Sequence, residues 1–128
     1  QIGLFHNSLL YVPELPAVER MIDPLFDFHL ARQQYHLSSP GLVVADNFLS
    51  GAALRALLTL TQEGTIWFDV KMGYLGAVQS DGFRHELLDQ LVQELRAGFP
   101  DIIGDLPVAN LWAFKFDQGT RGIAAHAD

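Results

Sequence analysis

The last residues of the chain carry side chains that could bind a metal ion. His126 and Asp128 are separated by one small residue, Ala127. On an extended backbone residues i and i+2 project from the same face, so this imidazole and this carboxylate could chelate one divalent cation. The alternative is a hydrogen-bonded His–Asp pair at a strand end. The chain has no cysteine, so any metal would be held by nitrogen and oxygen donors.

The composition describes one globular domain and restricts its partners. The chain has 128 residues, of which 49% are hydrophobic, a size and content typical of a single core. Fifteen acidic and eight basic side chains give a net charge of −7, which disfavours nucleic acid and anionic lipid as partners. No apolar run reaches the roughly 18 residues of a membrane-spanning helix. A cytoplasmic location is the expectation.

Apolar residues recur at helical spacing in three stretches. The first covers residues 16–35, where Pro24 is expected to kink or restart the helix. The second covers residues 50–64, with Ser50 as its N-cap and a glycine at its end. The third runs over residues 83–97, before Gly98 and Pro100. These helices are expected to pack against a sheet.

Strand-like stretches supply that sheet and give an α+β fold class. The segment at 110–117 alternates, so that its aromatic residues share one face, and Trp112 within it is expected to be buried. The turn pair Asp81-Gly82 separates the central strands from the third helix. The predicted strands cover residues 42–45, 66–70, 74–78, 110–117 and 123–128.

The segment 110–128 joins an aromatic strand, a Gly-containing loop and His-x-Asp. It resembles the core strands of the 2-oxoglutarate and Fe(II)-dependent oxygenases, particularly the prolyl-hydroxylase-like branch. The short strand from Gly41, followed by Phe48-Leu49-Ser50 and a helix, is similar to the opening of that family's fold. The resemblance covers residues 40–128 and implies supporting helices packed on the first strands of a double-stranded β-helix, or jelly-roll. Residues 1–39 would form an N-terminal helical extension.

The resemblance also implies an activity and a set of site residues. The activity is a hydroxylation that uses Fe(II) and 2-oxoglutarate on a small molecule or a protein side chain. His126 would be the first imidazole ligand of Fe(II) and Asp128 the carboxylate ligand. Relatives often hold 2-oxoglutarate through a tyrosine hydroxyl ten residues before the metal histidine, and Phe116, without a hydroxyl, has that position here. Tyr74 is a candidate donor instead, and its alternative is a structural role at a sheet edge.

In the family, a second metal histidine and the basic residue that pairs with the far carboxylate of 2-oxoglutarate follow the His-x-Asp motif. The chain is therefore expected to be the N-terminal portion of an oxygenase and not to complete the site alone. A different possibility is a non-catalytic interaction domain, in which an open sheet edge binds a partner or drives self-association. His85 and Asp89 are a weaker metal candidate, since two ligands on one helix face are usually solvated.

Overall fold

The fold is α+β, as the sequence predicts. The computed structural model describes residues 11–117 and residue 119, and this part of the chain contains three α-helices and a three-stranded antiparallel sheet. The sheet is open in this range, and the jelly-roll stays a prediction. The helices are α1 (Phe28–Leu37), α2 (Gly51–Glu63) and α3 (Glu86–Gly98), and the strands are β1 (Asp69–Lys71), β2 (Tyr74–Val78) and β3 (Trp112–Phe116).

The chain divides into two compact units. One combines Pro13–Glu63 with His85–Pro107 and contains all three of the helices named above; we call it the helical unit. The other includes residues 64–84 and 108–117, and it contains the three strands; we call it the sheet unit.

Helix α1 begins later than the periodicity predicts. Its N-cap is Asp27, whose carboxylate Oδ1 accepts the backbone N–H of Leu30 at 2.9 Å. The prediction of a helix from residue 16 is wrong up to this point. Pro24 lies in a turn and offers no N–H, and it disfavours helical backbone at the residue before it.

The predicted second helix is confirmed as α2, together with its cap. The hydroxyl of Ser50 accepts the backbone N–H of Ala53 at 3.1 Å and donates to the carbonyl of Arg20 at 2.7 Å. Ala53, Ala56 and Leu60 form the buried side of the helix. The cap therefore fixes the start of α2 and also joins it to the segment before α1.

Residues 42–45 do not form the strand that their composition predicts. The segment belongs to no strand of the described sheet, and Leu42 and Val44 are 66% and 82% exposed. The N–H of Leu42 is instead bonded to the hydroxyl of Ser38 at 2.8 Å. A run of β-branched residues favours extended backbone, but a strand also needs a neighbour to pair with, which composition does not reveal.

Apolar packing in the helical unit has two centres. One is a buried cluster of Met21, Ala53, Ala56 and Leu87. Met21 lies before α1, and the other three residues lie in α2 or α3. Four phenylalanines form the second centre around Phe26, whose ring lies edge-on to Phe28, Phe48 and Phe99 with centroid distances of 5.0, 4.8 and 6.5 Å. Edge-to-face contacts of this kind add to the free energy gained by burying the rings.

Glu94 on α3 bonds to the backbone of the segment that precedes α1. Its carboxylate accepts the N–H of Met21 at 2.8 Å and that of Ile22 at 2.9 Å, and the side-chain amide of Gln90 donates to it at 3.0 Å. Met21 and Ile22 are both fully buried. Burial raises the pKa of Glu94, but the hydrogen bonds from Ile22, Met21 and Gln90 outweigh it, and the pKa lies below its usual 4.5.

The sheet unit places an aromatic strand beside a short hairpin. Strand β2 pairs with β1 on one side and with β3 on the other, both antiparallel. The predicted turn is confirmed, because Gly82 has a φ of 91° at the end of a 3₁₀ turn. Phe83 follows it and is 4% exposed.

The prediction that Trp112 is buried is wrong, because its side chain is 47% exposed. Phe114 and Phe116 share its face of β3 and are 40% and 42% exposed. Strand alternation identifies an aromatic face correctly, but burial depends on a covering layer that alternation does not specify.

Candidate functional site

The predicted site residues fall into two groups. Tyr74 and Phe116 lie in β2 and β3, and the structure describes both. His126 and Asp128 lie outside the described residues, so the predicted metal ligands stay a prediction. The described part of the candidate site is therefore the sheet face around Tyr74.

The structure brings Tyr74 and Phe116 together. They are direct partners in the antiparallel register of β2 and β3, with ring centroids 5.5 Å apart. Phe114, two residues away on the same face, meets the Tyr74 ring edge-on at 5.6 Å. Directly opposed residues on antiparallel strands share a face. The Tyr74 hydroxyl and the ring of Phe116, which has no hydroxyl, therefore lie on the same side of the sheet.

The hydroxyl of Tyr74 is available to a ligand. No described residue makes a hydrogen bond to it, although the ring is packed against two phenylalanines. Tyrosine hydroxyls that are held beside apolar surface usually find a polar partner. The arrangement fixes the position of the ring, and within residues 11–117 and 119 no hydrogen bond engages its polar end.

Lys71 lies on the same face of the sheet as Tyr74 and Phe116. It is the register partner of Tyr74 on β1, and its ammonium lies 3.0 Å from the carboxylate of Asp69. The hydrogen bond that Lys71 donates to Asp69, together with the negative charge of that carboxylate, raises the pKa of Lys71 above its usual 10.5. Gly76 makes room for this pair, because a Cβ there would lie 3.2 Å from the Asp69 side chain. The sequence alone gave no reason to single out Lys71.

Lys115, the chain's other lysine, is held differently. It pairs with Leu75 and therefore projects from the opposite face of the sheet, where its ammonium lies 5.7 Å from the centre of the Trp67 ring. A groove of about 380 Å³ at this end of the sheet is bordered by Lys71, Tyr74, Phe116 and Lys115.

The weaker metal candidate on α3 has a structural explanation. His85 is the N-cap of α3, and its Nδ1 accepts the backbone N–H of Leu87 at 3.2 Å. Across residues 11–117 and 119, no group of three or more histidine, aspartate or glutamate side chains could hold a metal ion.

An ion-pair cluster in the helical unit was not predicted from the sequence. The carboxylate of Asp101 contacts Nε of Arg32 at 2.5 Å and Nε2 of His36 at 2.8 Å. A hydrogen bond from His36, and a smaller effect of one from Arg32, lower the pKa of Asp101 to about 2. The partners are 65 and more residues apart, so no local spacing signals them.

The fold and this geometry define an α+β protein with an aromatic sheet face that carries a tyrosine and a lysine–aspartate pair. No family model, curated protein or solved structure matches the chain. Among the described residues, no helix is long and apolar enough to cross a membrane.

Proposed function

We propose that the chain contributes to an Fe(II)- and 2-oxoglutarate-dependent oxygenase that hydroxylates a small molecule or a protein side chain. The observation that supports this most is the pairing of Tyr74 with Phe116, because it offers a hydroxyl beside the position where relatives have one. The proposal includes a jelly-roll to which β1, β2 and β3 contribute, and a cytoplasmic location.

The donor set fits the metal. One imidazole and one carboxylate, from His126 and Asp128, are ligands of the kind that non-haem Fe(II) takes, and they leave positions for other ligands. When bound, the metal would support oxidation of a C–H bond to an alcohol, with one atom of dioxygen entering the product and the other entering succinate as carbon dioxide leaves.

The chain's own residues would bind and orient the reactants. The Tyr74 hydroxyl donates a hydrogen bond to a carboxylate oxygen of 2-oxoglutarate, which replaces the donor that Phe116 cannot supply. The rings of Phe114 and Phe116 lie beside Tyr74 and offer an apolar surface to the methylene carbons of 2-oxoglutarate.

A metal titration tests the two ligands. We expect Mn(II), added without oxygen or cosubstrate, to broaden the NMR signals of residues around His126. Both His126→Ala and Asp128→Asn should weaken this binding about tenfold or more, because each removes one of only two protein donors. Binding should also weaken in acidic solution, because only a neutral imidazole can bind a metal.

His29→Ala is the matched control for that titration. His29 is an exposed histidine in the helical unit, and its removal should leave the broadening around His126 unchanged. Equal broadening in His126→Ala and in the unmodified chain would refute the metal site.

A specific feature also favours the second candidate, a non-catalytic interaction domain. Strand β1 pairs only with β2 in the described sheet, and Val70 on it is 71% exposed while Met72 in the adjoining turn is 99% exposed. An exposed apolar edge of this kind can pair with a strand of another chain.

Analytical ultracentrifugation over a range of concentrations tests this candidate. If the edge binds a second copy, the average mass should rise with concentration, and Val70→Lys should reduce the rise because charge on an edge strand opposes pairing. Leu25→Lys is the control, since Leu25 is 93% exposed but lies in the helical unit. A chain that stays monomeric at all concentrations would contradict self-association.

A further inference from the structure

The backbone of residues 43–45, in the helical unit, has no hydrogen-bond partner among the described residues. The segment is nevertheless held at both ends. The N–H of Leu42 donates to the hydroxyl of Ser38 at 2.8 Å, and the carbonyl of Phe48 accepts the N–H of Asp23 at 2.9 Å. Strand pairing satisfies backbone N–H and C=O groups that have no other partner. The segment is therefore positioned to receive an added strand.

A groove of about 490 Å³ borders this segment. It is lined by the segment itself, by the turn before α1 and by the first turn of α1. Each of the three contributes an exposed apolar side chain, and these are Val44, Leu25 and Leu30. Exposed apolar side chains that are grouped around a concave surface are typical of sites that bind another protein.

Three carboxylates give the groove a negative charge. Asp23, Asp27 and Asp46 line it, and within the described part of the chain no lysine or arginine does so. None of the three belongs to the ion pairs of the described residues. Asp23 accepts the N–H of Leu25 through one oxygen, and Asp27 accepts that of Leu30 in the same way, so each keeps a second oxygen for another donor. A partner with basic side chains would complement this charge.

We propose that the groove binds an extended segment of another protein in which basic and apolar residues alternate, and that this segment pairs with the backbone of residues 43–45 as an added strand. Alternate side chains of a strand point to opposite sides. One set lies on Leu25, Leu30 and Val44, and the long basic side chains of the other set reach the three carboxylates. Because the receiving segment is already held at both ends, binding costs less entropy.

The charge of the chain favours a different protein as the partner. With fifteen acidic and eight basic residues the chain has a net charge of −7, and like charges disfavour a second copy in an acidic groove. The proposal goes beyond the oxygenase activity, and it depends neither on the metal ligands nor on strand β1, because every residue that it uses belongs to the helical unit.

A synthetic peptide, acetyl-Lys-Val-Lys-Val-Lys-Val-amide, tests the groove in an NMR titration of the unmodified chain. We expect saturable shifts at the amides of residues 43–45 with a Kd below about 1 mM, and slower hydrogen exchange there because these N–H groups become bonded. Binding should weaken as the ionic strength rises. The same peptide with every backbone nitrogen methylated keeps its charges but loses its main-chain donors, and it should bind about fivefold more weakly or worse.

Two variants of the groove have matched controls. Val44→Lys should weaken peptide binding about tenfold or more, because it replaces an apolar contact with a like charge. Leu37→Lys makes a similar change at an exposed leucine outside the groove and should have an effect below about twofold. Asp46→Asn should weaken binding about two- to fivefold, and Asp105→Asn, at an exposed aspartate of the same unit outside the groove, less than about twofold.

Each of four results would overturn the proposal. Equal losses in a groove variant and in its control would mean attraction by net charge alone. Unchanged hydrogen exchange at residues 43–45 in the saturated complex would exclude an added strand, and no saturable shift up to about 5 mM peptide would exclude the site. Self-association that Val44→Lys reduces in the ultracentrifuge would identify a second copy as the partner.

Discussion

Replacing Glu94 with alanine is expected to lower the free energy of unfolding by about 2–6 kcal/mol. The carboxylate accepts two backbone N–H groups, from Met21 and Ile22, and both residues are fully buried. The shorter side chain leaves these donors without a partner and out of contact with water, which costs about 1–3 kcal/mol for each. Urea unfolding followed by circular dichroism measures the change.

Two further variants isolate the cause. Gln93→Ala removes an exposed side chain from the adjacent position of α3 and should change the free energy of unfolding by less than about 0.5 kcal/mol. Glu94→Gln keeps one acceptor oxygen and should fall between the unmodified chain and Glu94→Ala. A Glu94→Ala variant as stable as Gln93→Ala would show that the two N–H groups find other partners.

The contribution of Glu94 should also depend on pH. Its pKa in the folded protein lies below the usual 4.5, because the hydrogen bonds from Ile22 and Met21 outweigh the effect of burial. A group with a lowered pKa stabilises the fold above its unfolded pKa and loses that contribution as the pH falls through its folded pKa. The stability difference between the unmodified chain and Glu94→Gln should therefore be largest above pH 4.5 and shrink in more acidic solution.

Phe83→Ala should destabilise the sheet unit by about 3–5 kcal/mol. Phe83 is 4% exposed, and truncating a buried phenylalanine loses apolar burial and leaves a cavity. The ring follows Gly82, and its backbone N–H donates to the carbonyl of Val78 at the end of β2. Thermal unfolding monitored at the NMR signals of β2 and β3 gives the change in the unit that holds Tyr74.

Phe83→Leu separates packing from other effects. It keeps most of the buried volume and should cost less than about 1.5 kcal/mol. If Phe83→Ala and Phe83→Leu lose the same amount, the aromatic ring itself matters rather than the volume that it fills.

Local chemistry explains the elements that could be predicted from the sequence. Ser50 and Gly64 are the kinds of residue that begin and end a helix, and α2 lies between them. The alternation of β3 placed its aromatic residues on one face, and the bounds of β2 agree with the predicted 74–78. Each of these signals depends on residues within a few positions of one another.

Features that need distant partners could not be predicted. The register that sets Tyr74 against both Lys71 and Phe116 depends on how three strands align, and a shift by one residue would reverse every face. The pairing of Asp101 with Arg32 and His36 and the exposure of Trp112 depend in the same way on what lies nearby in space. Tyr74 was singled out by its hydroxyl, whereas the importance of Lys71 follows only from the register.

The hydrogen bonds of Glu94 constrain the order of events while the chain is being made. Met21 and Ile22 leave the ribosome 73 and 72 residues before the carboxylate that binds them. At roughly 5–20 residues per second, the two N–H groups wait about 4–15 s for that partner. Until α3 has been translated, these two N–H groups must therefore bond to water or to another partner.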